Sequence, residues 1–231
     1  MHPQIRPVEP RRLYQQIADQ IRELIQQGGF QVGTRLPPER DLAQQLGVSR
    51  PSLREALIAL DIEGWVEVRS GSGVYVAAAP PEPAPARTSA LGESPSQLME
   101  ARSVIEGEVV TLACARISEE QLSRLRGIFD DMKSAISQRR PPLELDRQFH
   151  LALAESAGNA LLARMVRELF DERHSPLSAK ISSRFESNRT WTAALHEHEQ
   201  IMKAVLMRDP IAAQAAMRAH LHLSTLRWVG E

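Results

Sequence analysis

The chain has 231 residues, with 28 basic and 29 acidic side chains and seven histidines, a formal net charge of −1. Near neutrality excludes a polycation held on nucleic acid by bulk charge, and the single cysteine, Cys114, excludes a disulfide framework or a four-cysteine zinc site. No apolar run reaches the ~18–20 residues a membrane helix needs, residues 1–12 lack an apolar signal core, and a cytoplasmic protein without membrane contact is expected.

The first element is a helix. Leu13, Ile17, Ile21 and Ile25 recur at helical spacing, and Gly28-Gly29 ends the pattern. A second helix opens at Pro37-Pro38, runs through Leu42 and Leu46, and stops at Gly47. Ser49 is placed to cap a third, whose stripe is Leu53, Leu57 and Leu60 and whose end is Gly64. Residues 65–69 and 73–77 alternate as two short strands around a Ser-Gly-Ser turn. Prolines 80, 81, 83 and 85 then forbid both helix and central strand, and 78–94 reads as a semi-rigid linker. Beyond it only helical periodicity remains, over about 96–116, 119–139, 143–157, 160–173, 190–207 and 211–228. The stretch 175–189 carries no clear period. The expected fold is mainly α: a winged helix–turn–helix over 1–77, the Pro-rich linker 78–94, and an all-helical bundle over 95–231.

The third helix carries the first chemistry. Arg50 and Arg54 stand four apart, on a face away from its leucine stripe, flanked by Ser49 and Ser52, with Arg40 in the helix before. A helix N-terminus in a major groove offers N–H groups to phosphate, and arginine can grip a guanine edge with two hydrogen bonds. Residues 1–77 hold nine arginines and nine acids. Binding must therefore come from segregated charge, with weak non-specific affinity and a strong demand for correct operator contacts.

The second chemistry lies in the bundle. Asp146 and His150 are four apart, so carboxylate and imidazole share one helix face and can chelate a divalent cation. In H196-E-H-E, His198 shares a stripe with Leu195, Ile201 and Val205 and points inward, while His196 points out. In H220-L-H, His220 lines up with Ala213, Ala216 and Met217, and His222 with Arg218 on the wet face. Three helices thus aim Asp146, His150, His198 and His220 at a common core. Arg102 shares the inward face of the first bundle helix with Leu98, Ile105 and Val109. It is half-buried on this reading, either to hold a ligand carboxylate or to form a salt bridge with Glu106. No inward glutamate is placed as a general base. Cys114, in an Ala-rich helix, reads as a small buried hydrophobe.

The run LPPERDLAQQLGVSRPSLREALIALDIEGWVEVRSGSGVYV, 36–76, resembles the winged helix–turn–helix of GntR-superfamily transcription regulators. The resemblance implies that Arg40, Arg50 and Arg54 read bases or clamp phosphates and that Gly71 lies at the wing tip. Pro51 stands where many members carry threonine, leaving Ser49 and Ser52 as the hydroxyls there. The order D-x-x-F-H, E-H-x-x-I and H-L resembles the FCD-type ligand domain of the fatty-acid-regulator branch. That implies a metal on Asp146, His150, His198 and His220, zinc or nickel being expected, and an effector grip at Arg102. EPRRLYQQ, 9–16, QFH, 148–150, and RDP-x-AA, 208–213, are similar to the hexuronate-utilisation repressors of the UxuR/ExuR type.

These readings imply a DNA-binding repressor rather than an enzyme. It would be a homodimer on a near-palindromic operator, answering to a small carboxylate such as a hexuronate, with the linker setting the winged units. The alternatives are a regulator for which the ion itself is the signal and a metal-dependent hydrolase. The hydrolase lacks a general base and leaves the DNA-reading helix without a role.

Overall fold

Three short helices and a hairpin form the first unit of the computed structural model, which describes residues 12–69, 71–78 and 91–229. The expected linker falls largely on 79–90, outside the described residues, as do Ser70 of the hairpin turn and the first eleven residues. Helix α1 (Leu13–Gln26) buries Tyr14, Ile17, Ala18, Ile21 and Ile25 along one face, chiefly against α3. Helix α2 (Glu39–Leu46) follows Pro38 and ends at Gly47, whose φ of 66° a side chain would resist. In α3 (Arg50–Ile62) the Ser49 hydroxyl accepts the Ser52 N–H, Pro51 occupies the first turn, and Leu53, Leu57 and Leu60 are buried. Strands β1 (Val66–Arg69) and β2 (Gly73–Val76) pair antiparallel, Val66 opposite Val76 and Arg69 opposite Gly73. Arg35 adds a bridge to Tyr75.

The chain divides into two units between Ser94 and Pro95. Residues 91–94 belong to the first. Leu91 is buried, Tyr14 Oη donates to the Gly92 carbonyl at 2.9 Å, Arg12 pairs with Glu93, and Ser94 Oγ donates to the buried Glu55 of α3 at 2.7 Å.

Among its described residues the second unit has helices and short connections but no strand. Its elements are α4 (Pro95–Arg116), α5 (Glu119–Ser137), α6 (Leu143–Ser156), α7 (Ala160–Asp171), α8 (Pro176–Phe185), α9 (Asn188–Leu206) and α10 (Pro210–Val229). A 3-10 turn, Glu172–His174, joins α7 to α8. Helix α10 packs mainly on α4 and α9, and α6 is held among α4, α5 and α7. Capping boxes start α5 at Ser118/Gln121 and α9 at Ser187/Thr190. Helix α8 fills the stretch that lacks a sequence period; only Leu177, Ser178 and Ile181 are buried along it, too short a stripe to read. Cys114 is 1% exposed and burial raises its thiol pKa, as befits a packing residue.

Gly158, with φ of 67°, turns the chain so that Asn159 Oδ1 accepts the Leu161 and Leu162 N–H groups at the start of α7. Asn159→Ala is expected to lower stability by about 1 kcal/mol, read by denaturant unfolding, with cation binding kept.

Candidate metal centre and DNA-reading face

Helices α6, α9 and α10 bring Asp146, His150, His198 and His220 together, with one donor atom of each within 4.8 Å of all the others. All four are buried, while His196 and His222 are exposed. His198 Nε2 lies 3.1 Å from Asp146 Oδ1 and 3.3 Å from His150 Nε2, and His150 Nε2 is 3.8 Å from the same oxygen.

The other ring nitrogens decide what these contacts are. His150 Nδ1 meets Glu106 Oε2, His198 Nδ1 is 2.7 Å from the Ala194 carbonyl, and His220 Nδ1 is 2.8 Å from Glu197 Oε2. Each partner can only accept, so each Nδ1 carries the proton and each Nε2 presents a lone pair. With the rings neutral, two Nε2 lone pairs and a carboxylate oxygen converge, a set that a cation satisfies and that a proton on His198 Nε2, donated to Asp146, would otherwise fill. Two ligands at ~2.1 Å from one ion stand about 3.0–3.4 Å apart, so the closest donor separations match a common cation. The donor set fits a divalent metal.

The electrostatics agree. Burial lowers the His220 pKa to about 3, helped by His198, and burial likewise lowers His150, so both rings are neutral as ligands must be. Burial alone would raise the Asp146 and Glu106 carboxyls. Instead His198, His150 and Arg173 hold Asp146 well below the ordinary range, and Arg102 with His150 holds Glu106 at about 2.

Arg102 is 1% exposed, not half-buried. Its Nε donates to Glu106 Oε1 at 2.6 Å, its guanidinium lies 3.9 Å from the Phe170 ring centre, and its Nη2 has no hydrogen-bond partner among the described residues. Both roles open to it from sequence, ligand donor and partner of Glu106, are compatible with this placement. A cavity beside the ligands is lined by Arg102, Asp146, His220 and two arginines that sequence reasoning missed, Arg173 and Arg227. Arg173 donates to Asp146 Oδ2 at 2.9 Å and to Glu186 Oε1 at 2.8 Å. Arg227 grips both oxygens of Glu197, at 2.6 and 2.9 Å.

Glu106, open from sequence only as a salt-bridge partner of Arg102, is that partner and also bonds a ring of the cluster. It is 2% exposed and stands one turn from Arg102, so the spacing that buries the one buries the other. Its two oxygens are taken by Arg102 and His150, which makes it a holder of a ligand ring rather than a free base.

In the first unit Arg40 and Arg50 are exposed, and the Ser49 and Ser52 hydroxyls are 2.8 Å apart at the head of α3. Arg54 is less open: its side chain is 14% exposed and its Nε donates to Glu39 Oε2 at 3.0 Å. Gly71 lies in the hairpin turn with φ of 69°. Two wing arginines were not singled out in the sequence. Arg35 covers Gly73 so closely that a Cβ there would lie 2.6 Å from its Nε, and Arg69 stacks on Tyr75 at 4.3 Å.

A winged helix–turn–helix ahead of a helical unit with a buried histidine–aspartate centre is the layout of a DNA-binding regulator with a ligand domain. The chain belongs to the GntR family of bacterial regulatory proteins: that family's model matches residues 13–76, and the FCD domain model matches 97–223. It is 37% identical to the Exu regulon transcriptional regulator of Escherichia coli K12 over 92% of this chain and 83% of that one. It is 32% identical to the Uxu operon transcriptional regulator of the same strain, over 91% and 84%. With the putative L-lactate dehydrogenase operon regulatory protein of E. coli K12 the identity is 31%, over 93% and 85%. Among solved structures, E. coli McbR/YncC aligns with a TM-score of 0.54 over 94% of this chain and 97% of that one, at 18% identity, a likeness of fold. These relatives are transcription regulators, and the chain is one rather than an enzyme. Among the described residues no helix is long and apolar enough to cross a membrane.

Proposed function

We propose that the chain is a homodimeric repressor that releases or retains a near-palindromic operator according to a small carboxylate bound beside a divalent cation. The convergence of the Asp146, His150, His198 and His220 donors on one point, with an arginine-lined cavity alongside, carries this reading. Zinc or nickel suits the imidazole-rich set. When bound, the cation supplies open coordination positions for a carboxylate. Arg102 Nη2, buried without a partner, supplies the second contact, a charge-assisted hydrogen bond. The names of the Exu and Uxu relatives favour a hexuronate as effector. Val104 on α4 and Leu161 and Met165 on α7, exposed apolar residues of two helices packed together, offer a face to a second copy.

On DNA, we assign Arg40, Arg50, Arg54 and the α3 head with Ser49 and Ser52 to operator contact, and Gly71 to close approach of the wing. Arg50→Ala is expected to weaken operator binding by about 1–3 kcal/mol and relax preference at one base pair, seen in binding titrations on operator variants. Unchanged affinity and preference would remove Arg50 from the reading surface.

A thermal-shift screen of sugar acids and other small carboxylates on the cation-loaded chain tests the effector assignment. Titrating cation and acid separately against operator binding tests it against the ion as signal. An operator response to the cation alone, unaltered by any acid, would favour the ion.

A further inference from the structure

The charged groups around the cavity give an unequal count. Asp146 and Glu186 line it, and Glu106 and Glu197 hold the rings of His150 and His220 from behind. Against these four carboxylates stand three guanidiniums, Arg102, Arg173 and Arg227. With each histidine counted as the neutral ring a cation ligand must be, these groups sum to one net negative charge. In a buried setting that disfavours a carboxylate, because a like charge is neither solvated nor screened. A divalent cation turns the balance to one positive charge, which a single carboxylate neutralises. A second carboxylate on the same ligand would return the site to a net negative charge.

Glu186 sets this limit. The other three acids are committed to the centre itself: Asp146 is a donor, and Glu106 and Glu197 fix rings. Glu186, beyond the C-terminus of α8, touches no cation donor directly. It reaches the centre through Arg173, whose two terminal nitrogens bridge Glu186 Oε1 and Asp146 Oδ2. It therefore presents a carboxylate to the ligand space one guanidinium away from a cation ligand. It can accept hydrogen bonds from hydroxyl groups and repels an anion.

Building on the carboxylate-effector reading above, we infer that the cavity is charge-matched to a monocarboxylate only when the cation is bound, and that Glu186 is the specificity residue that rejects a second carboxylate. The ligand class is thus a monoanion with uncharged, hydrogen-bonding groups, as opposed to a dicarboxylate.

Isothermal titration of the full chain with D-galacturonate and with galactarate, the diacid on the same carbon chain, tests this at neutral pH. The cation-loaded wild type is expected to bind the monoacid at least about tenfold tighter than the diacid. The chelated chain is expected to bind neither measurably. Glu186→Gln, at a side chain with 18% exposure, is expected to fold, as a thermal melt will show, and to bring the two acids within about threefold of each other. Equal or tighter binding of galactarate by the wild type would overturn the charge match. A ratio unchanged in Glu186→Gln would remove Glu186 as its source, and full binding by the chelated chain would remove the cation. Failure of the cation-loaded wild type to bind either acid would overturn the effector reading itself, and the inference with it.

Discussion

His198→Ala is expected to cost the protein its bound cation, while His196→Ala, two residues away, leaves it in place. His198 Nε2 is the donor closest to two others, 3.1 Å from Asp146 and 3.3 Å from His150, and the residue is fully buried. Removing a partner behind a ligand costs roughly 10–100-fold in affinity, so removing the ligand itself should cost about 100-fold or more. The loss leaves Asp146 and His150 facing a gap in the packing where the ring met the edge of Phe149 at 4.8 Å. His196 is exposed and beside Glu199. Elemental analysis and competition with a chromophoric chelator give the affinity directly. A second readout is thermal: cation at 100 times the wild-type Kd adds about 2.7 kcal/mol to the wild type and about 0.4 kcal/mol or less to His198→Ala. Equal loss in the two variants, or in neither, would mean the centre does not form on this face of α9.

Arg102→Ala is expected to destabilise the helical unit by about 3–5 kcal/mol, because it leaves the buried Glu106 with one cationic partner removed. It also removes the guanidinium stacked on Phe170. This variant reports on stability and cannot isolate the effector contact. Arg102→Lys can: the ammonium still faces Glu106, but the Nη2 donor and the planar stack are gone. With cation and operator binding retained, the effector concentration for half response should rise by about 10–150-fold, the equivalent of one charge-assisted hydrogen bond of about 1.5–3 kcal/mol. Operator release followed against effector concentration measures it. A lysine variant responding at the wild-type concentration would make Arg102 only the partner of Glu106.

Much of this architecture is written in local periodicity. The leucines of α3 and the capping serine at 49 define the reading helix, and the stripes of α9 and α10 select His198 over His196 and His220 over His222. Such choices need only the rotation of one helix. What the sequence does not display depends on more than one element. Arg173 sits in a 3-10 turn with no stripe to orient it, and its two partners, Asp146 and Glu186, come from other segments. Arg227 reads as a solvated last-turn cation until Glu197 of α9 is packed against it. Glu106 was within reach, four residues from an arginine read as inward. It reads only as a salt-bridge partner, because its second bond, to His150, crosses between helices. Helix α8 shows no period because ten residues give one face too few buried positions.

The return of residues 91–94 to the first unit changes what the Pro-rich segment can be. It leaves from the wing, where the Ala77 N–H bonds the Trp65 carbonyl, and its far end is fastened to α1 and α3 through Gly92, Glu93 and Ser94. Both ends of the undescribed stretch 79–90 thus belong to one unit, and the covalent junction between units is the single Ser94–Pro95 peptide bond. Residues inserted there leave the junction as it is, and by loop-closure entropy a doubled length costs only about 0.6 kcal/mol. Length there can change at small cost, whereas the junction joins Ser94, whose hydroxyl holds Glu55 of the reading helix, directly to Pro95 in the first turn of the helix that carries Arg102.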